Sequence, residues 1–131
     1  MLDPEKVFKF HITKPSCHAQ CFESQWTVPS DLPYLRGHFP SQPLLPAIAM
    51  IDASIELLRQ ALNVEKVFPS SISSAKFMAP VVPDLKIKIS LHQLANDSWQ
   101  ADWETENPKT LLAKISFTAS LIDPSRGFSS K

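Results

Sequence analysis

The stretch Leu35–Ile55 does most to limit what this chain can fold into. It holds Gly37, directly before His38; the only other glycine of the 131 residues is Gly127, near the C-terminus. Glycine serves where the backbone takes a positive φ or must approach another group closely. Pro40, Pro43 and Pro46 follow within nine residues. Each fixes φ and removes a backbone donor, so the segment is neither helix nor central strand. Beyond Pro46 the pattern becomes helical, and proline is tolerated at a helix start because its missing N–H has no partner to lose there. The expectation is a stiff loop presenting one histidine and running straight into a helix.

That helix is expected over Pro46–Leu62. Ile48, Ile51, Ile55, Leu58 and Leu62 form one apolar stripe, and Met50, Leu57 and Ala61 form a second arc. Asp52, Glu56, Arg59 and Gln60 share the remaining surface. A helix apolar on two sides is wrapped by other structure and does not merely lie on it. The rest of the chain alternates as strands do. Segments are expected at Val7–Ile12, His18–Val28, Ile72–Met78, Leu85–Leu91, Ser98–Thr105 and Leu111–Ile122, with Met1–Lys6 a frayed start and Asn63–Ser71 a connection. Trp99, Ala101 and Trp103 share one face, as do Ala113, Ile115, Phe117, Ala119 and Leu121. Trp26, Trp99 and Trp103 are read as core or interface, and His11, His18 and His92 as surface or packed residues. Two strands, a loop, one helix and four strands make an α+β arrangement, an antiparallel sheet wrapped around one long central helix. Such a sheet has edges to protect, so dimerisation through an edge is expected. The whole of 1–131 reads as one domain, with a loose tail from about 123.

Charge narrows the function. Thirteen lysines and arginines balance thirteen aspartates and glutamates, so no basic excess points to nucleic acid. No run is long and apolar enough to enter a membrane, and no export signal opens the chain, so a cytoplasmic location is expected. Cys17 and Cys21 on one strand would stand roughly 13 Å apart, beyond disulfide reach. His18 between them would face the other way, so no metal site is expected there.

The residues Gly37-His38-Phe39-Pro40, then Gln42-Pro43-Leu44-Leu45-Pro46, then an apolar helix carrying Asp52 fourteen residues after His38, resemble the hot-dog-fold 3-hydroxyacyl-[acyl-carrier-protein] dehydratases. Downstream, Ala75–Pro83 is similar to that family's Phe-x-x-Pro-Val-x-Pro segment. Val28–Pro46 resembles most the short dehydratases of aryl-polyene gene clusters. Two glycines of the family pattern are replaced here, one by Ala47 at the helix start and one by Asp84 after Pro83. Alanine keeps the backbone N–H and adds a methyl group.

The resemblance implies a hot-dog fold and removal of water from a 3-hydroxyacyl group on acyl carrier protein, giving a trans-2-enoyl product in fatty-acid-like or aryl-polyene-like biosynthesis. It implies no cofactor and no metal, because no electrons leave or enter. It implies a homodimer whose sites lie at the subunit interface, His38 of one chain working with Asp52 of the other. The chemistry needs a base for the proton beside the carbonyl, an acid for the departing hydroxyl, and donors for the thioester oxygen. Histidine suits the first task. Burial raises a carboxyl pKa toward the range an acid needs. Unpaired amides at a helix start, here Ala47 and Ile48, suit the third. Gly37 and Phe39 complete the implied substrate contacts, and Arg36, Lys86 and Lys88 are candidates to meet an acidic carrier. Position alone speaks less strongly. His38 by itself is a loop histidine bonded to a backbone carbonyl, and Asp52 sits at the edge of a solvated arc. A hot-dog acyl thioesterase and a non-catalytic acyl-binding or assembly subunit are the alternatives.

Overall fold

The structure, a computed structural model, describes residues 3–15, 20–35 and 44–122. The predicted positions Arg36, Gly37, His38 and Phe39, the cysteine Cys17, His18 and the tail from 123 lie outside the described residues. The chain opens with a single helical turn, Pro4–Val7 (α1), whose Glu5 N–H donates to the Asp3 side chain. The expected strand at Val7–Ile12 shrinks to His11–Thr13 (β1). Proline at the first helical position and an aspartate cap favour a turn over extension there, and Phe8 is drawn fully into the core.

Cys21–Thr27 (β2) follows, with Phe22, Ser24 and Trp26 turned inward. Cys21 is disulfide-bonded, against the expectation that the two cysteines stand too far apart. β2 begins at Cys21, so the strand spacing behind that expectation does not extend back to Cys17. A 3₁₀ turn, Pro33–Leu35, then buries Tyr34 and Leu35.

Ala47–Leu62 (α2) is the long helix, with Pro46 as its N-cap. Its sixteen residues contain no glycine or proline. It ends where Asn63 takes the left-handed conformation (φ 55°) and sends its N–H back to the carbonyls of Arg59 and Gln60, the usual way to satisfy terminal carbonyls. The buried face is Ala49, Met50, Ala53, Ser54, Leu57 and Leu58. This corrects the expected stripe: Ile51 and Ile55 are half-exposed and Ile48 is 60% exposed. Glu56, expected on the polar surface, is buried at 5% exposure. The small residues Ala49, Ala53 and Ser54 let the helix sit close against the sheet, which turns the isoleucines outward.

Four strands complete the sheet: Lys66–Phe77 (β3), Lys86–Ala95 (β4), Ser98–Glu106 (β5) and Lys109–Ile122 (β6). Their spatial order is β1-β2-β4-β5-β6-β3, with every neighbouring pair antiparallel. β3 is far longer than expected and absorbs most of the predicted connection. It does so as an edge strand, where Pro69 costs no ladder bond, and its pairing to β6 is interrupted on either side of Ser71 and Ile72. The inward rows, Ile87/Ile89/Leu91, Trp99/Ala101/Trp103 and Ala113/Ile115/Phe117/Ala119, pack with α2 in one apolar cluster. Full burial of each large side chain contributes roughly 1.5–3 kcal/mol.

One polar link sets the helix against the sheet. Buried Trp103 donates from Nε1 to Ser54 Oγ (3.0 Å), and that hydroxyl donates to Met50 O (2.8 Å). Asp84 adopts φ 68°, a region where glycine is at ease and aspartate is tolerated. Its N–H donates to Val28 O (2.8 Å), and Val28 N–H donates to Leu85 O (3.0 Å). This pins the turn before β4 without the glycine that the resemblance led one to expect.

Candidate active site

The two motifs that are far apart in sequence meet at the N-terminal end of α2. Leu45 N–H donates to Val81 O (2.8 Å), and Met78 and Ala79 N–H both reach Leu112 O (2.8 and 3.3 Å). Between them lies a groove of about 300 Å³ whose lining includes Leu44, Ala47, Met50, Phe77, Met78 and Val81. Phe77 and Met78 remain exposed on its rim, at 41% and 48%. The floor is apolar, as an acyl chain requires.

The groove opens at the helix start. Ala47 and Ile48 are the first two residues of α2 and both are exposed. Pro46 O takes the N–H groups of Ala49 and Met50 (3.0 and 3.2 Å). No side chain caps the helix, and among the described residues nothing accepts from the Ala47 or Ile48 N–H. Ala47 lines the groove, so the start of α2, with its open amides and the positive end of the helix dipole, lies beside it, an arrangement suited to an oxygen carrying developing negative charge.

Asp52 lies one and a half turns further along α2 and is half-buried. Tyr34 donates from its hydroxyl to Asp52 Oδ2 (3.0 Å). The Tyr34 phenol is pushed well above its ordinary value, first by burial, then by this hydrogen bond and by the charge of Asp52, with a lesser push from Asp3. It stays protonated and serves as a donor. At about 100° per residue, Asp52 points roughly 160° away from Met50 around the helix. One chain thus places the groove and the carboxylate on different sides of α2, with the half-open row Ile48, Ile51 and Ile55 between them.

Tyr34 carried no functional expectation from the sequence. The available signal was that it is the only tyrosine in the chain, set between Leu32 and Leu35 and three residues before Gly37. Glu56 was likewise missed. It accepts from Arg59 Nε (3.0 Å), Arg59 Nη2 (2.8 Å) and Gln60 Nε2 (2.7 Å). Gln60 also donates to Phe8 O (3.0 Å) and accepts from Phe10 N–H (3.3 Å). Of the cations proposed for a carrier, Lys88 is engaged by Glu104 and Glu106 (3.4 and 3.5 Å), while Lys86 is exposed. Among the described residues no three His, Cys, Asp or Glu side chains gather as a metal site, and no helix is long and apolar enough to cross a membrane.

A six-stranded antiparallel sheet on one long helix, with a groove at the helix start, is the hot-dog architecture, and known structures of this kind superpose on it. The dehydratase heterocomplex ApeI:P from Xenorhabdus doucetiae matches with a TM-score of 0.69 at 23% identity, covering 83% of this chain and 93% of the other. An uncharacterised protein from Erwinia carotovora subsp. atroseptica matches with a TM-score of 0.72 at 22% identity, covering 88% and 94%.

The chain belongs to the ApeI-like family, described as ApeI dehydratase, whose model matches residues 14–115. It is also similar to 3-hydroxyacyl-[acyl-carrier-protein] dehydratases FabZ. The enzyme of Paramagnetospirillum magneticum is 25% identical over 101 residues, covering 70% of this chain and 63% of that protein. The enzyme of Granulibacter bethesdensis is 28% identical over 102 residues, covering 70% and 60%. The chain thus spans a little under two thirds of the length of these two relatives.

Proposed function

We propose that this chain, a single hot-dog domain over 1–131, is a dehydratase that removes water from 3-hydroxyacyl groups carried on acyl carrier protein in the cytoplasm. The observation that carries this reading is the helix start of α2. There, an apolar groove built from both family motifs reaches Ala47, the first residue of a helix that no side chain caps, and a carboxylate stands further along the same helix. His38 takes a proton from the carbon beside the thioester carbonyl. The electron pair of that C–H bond forms the new double bond, the C–O bond to the hydroxyl breaks, and Asp52 supplies the proton with which the hydroxyl leaves as water. The Ala47 and Ile48 amides hold the thioester oxygen while it carries charge, and Gly37 and Phe39 border the bound acyl group. The reaction needs no cofactor or metal.

The site is completed by a second copy of the chain. The groove and Asp52 face different ways on one α2, so a partner's Asp52 reaches this chain's groove more readily than its own does. The edge strand β3 supports pairing: all its residues except Val67 are exposed. They include Phe68 at 48% and Ile72 at 41%, and a long exposed edge strand is of the kind that pairs with another chain. The similar Xenorhabdus doucetiae structure is a dehydratase heterocomplex, ApeI:P, so a related hot-dog subunit is the competing occupant.

The test is to incubate purified protein with a 3-hydroxyacyl carrier substrate and weigh the products by mass spectrometry, with His38→Ala and Asp52→Asn beside the wild type. Water loss that collapses in both variants is the expected result. Thioester hydrolysis would favour the thioesterase reading. Carrier binding without turnover would favour an acyl-binding subunit. Sedimentation of the protein alone should give a dimer, and a monomer that pairs only with a related chain would replace the homodimer.

A further inference from the structure

We infer that Tyr34 is the positioning residue of Asp52, holding one carboxylate oxygen so that the other is presented to the reacting hydroxyl. The inference rests on the dehydratase reading for the identity of the reaction, and on geometry for everything else. Asp52 is half-buried on α2, and an unbonded carboxylate there would have several rotamers open to it. Among the described residues its one hydrogen bond is the 3.0 Å contact from Tyr34 to Oδ2. That leaves Oδ1 free to transfer a proton.

The donor is more deeply buried than the acceptor. Tyr34 is 9% exposed and sits in a 3₁₀ turn. Its ring stacks on Phe8 with centroids 5.4 Å apart and planes 23° apart. Phe8 is itself fully buried and packs edge-on to Trp26 at 5.8 Å. The backbone of that aromatic wedge is tied to α2 through Gln60, which bonds both Phe8 O and Phe10 N–H. A buried ring stacked on Phe8 thus aims its hydroxyl at a half-buried carboxylate. The same turn leads directly in sequence into Arg36–Pro43, which carries His38. The bond from Tyr34 strengthens as Asp52 gives up its proton and gains charge, and misplacing a reacting group is costly in rate.

The test compares Tyr34→Phe, Asp52→Ala and the double variant with the wild type. Phenylalanine keeps the stack on Phe8 and removes only the hydroxyl. Tyr34→Phe should lower kcat about tenfold or more, the scale of a hydrogen bond to a charged group, and leave KM within about twofold. In urea, the same substitution should change the unfolding equilibrium constant about tenfold in the wild-type background and hardly at all in the Asp52→Ala background. A Tyr34→Phe enzyme with unchanged kcat would overturn the inference, as would equal unfolding effects in the two backgrounds. If the wild type itself releases no water, the dehydratase reading fails. The unfolding comparison then decides by itself whether Tyr34 holds Asp52.

Discussion

Replacing Glu56 by alanine should destabilise the chain by about 2–3 kcal/mol, although Glu56 reads in sequence as an ordinary surface residue of a helix. Breaking a buried ion pair from one side costs about 3–5 kcal/mol, because the remaining charge is left without its partner. Glu56 is 5% exposed and accepts three short hydrogen bonds. The abandoned partner, Arg59, is not wholly stranded. Its side chain is 22% exposed, it keeps Glu5 at 3.4 Å, and its Nη1 still donates to Val64 O at 3.3 Å. Those contacts and access to water bring the expected cost below that range, to about 2–3 kcal/mol. Gln60 loses one acceptor and is freer to release Phe8 and Phe10, so part of the loss should appear as opening of the N-terminal segment. Glu56→Gln preserves the shape and should cost less than the alanine. The assay is equilibrium unfolding in urea, with hydrogen exchange on residues 3–13 to locate the loosening. A Glu56→Ala cost below about 1 kcal/mol, the scale of an exposed pair, would refute the reasoning.

Ser54→Ala should cost about 1–2 kcal/mol in the same assay, because it leaves the indole N–H of fully buried Trp103 without an acceptor; no loss would mean that this link does not hold α2 on the sheet. Ile72→Lys, in the middle of the exposed edge strand, should shift the sedimentation of the protein from dimer to monomer while circular dichroism stays unchanged. Tyr34 has a folded value above its ordinary 10.0, so the native state holds that proton more tightly than the unfolded chain does. Its contribution to stability is complete below about pH 10 and declines as pH rises past it. Tyr34→Phe should therefore lose stability less steeply in alkali than the wild type, and identical slopes in urea titrations above that pH would contradict the assigned contact.

Much was fixed by local pattern. The alternation of Trp99, Ala101 and Trp103 and of Ala113 through Ala119 marked inward faces, because a strand's period of two leaves no other choice once one face is apolar. Pro46, followed by sixteen residues free of glycine and proline, marked the start and length of α2. The paired motifs around His38 and Ala75–Pro83 marked a family, and with it a set of candidate site residues. Other features depend on which surfaces meet. Small residues at Ala49, Ala53 and Ser54 let the sheet come close and rotated α2 away from its apparent isoleucine stripe. A buried acid, Glu56, became possible because Arg59 and Gln60 from its own helix could satisfy it. β3 accommodated Pro69 because it lies at the sheet edge. Tyr34 reaches Asp52 across eighteen residues of sequence only because Phe8, from the far N-terminus, supports its ring. Periodicity records what one element offers to its surroundings; the partners that answer it come from distant parts of the chain, and tertiary packing alone decides them.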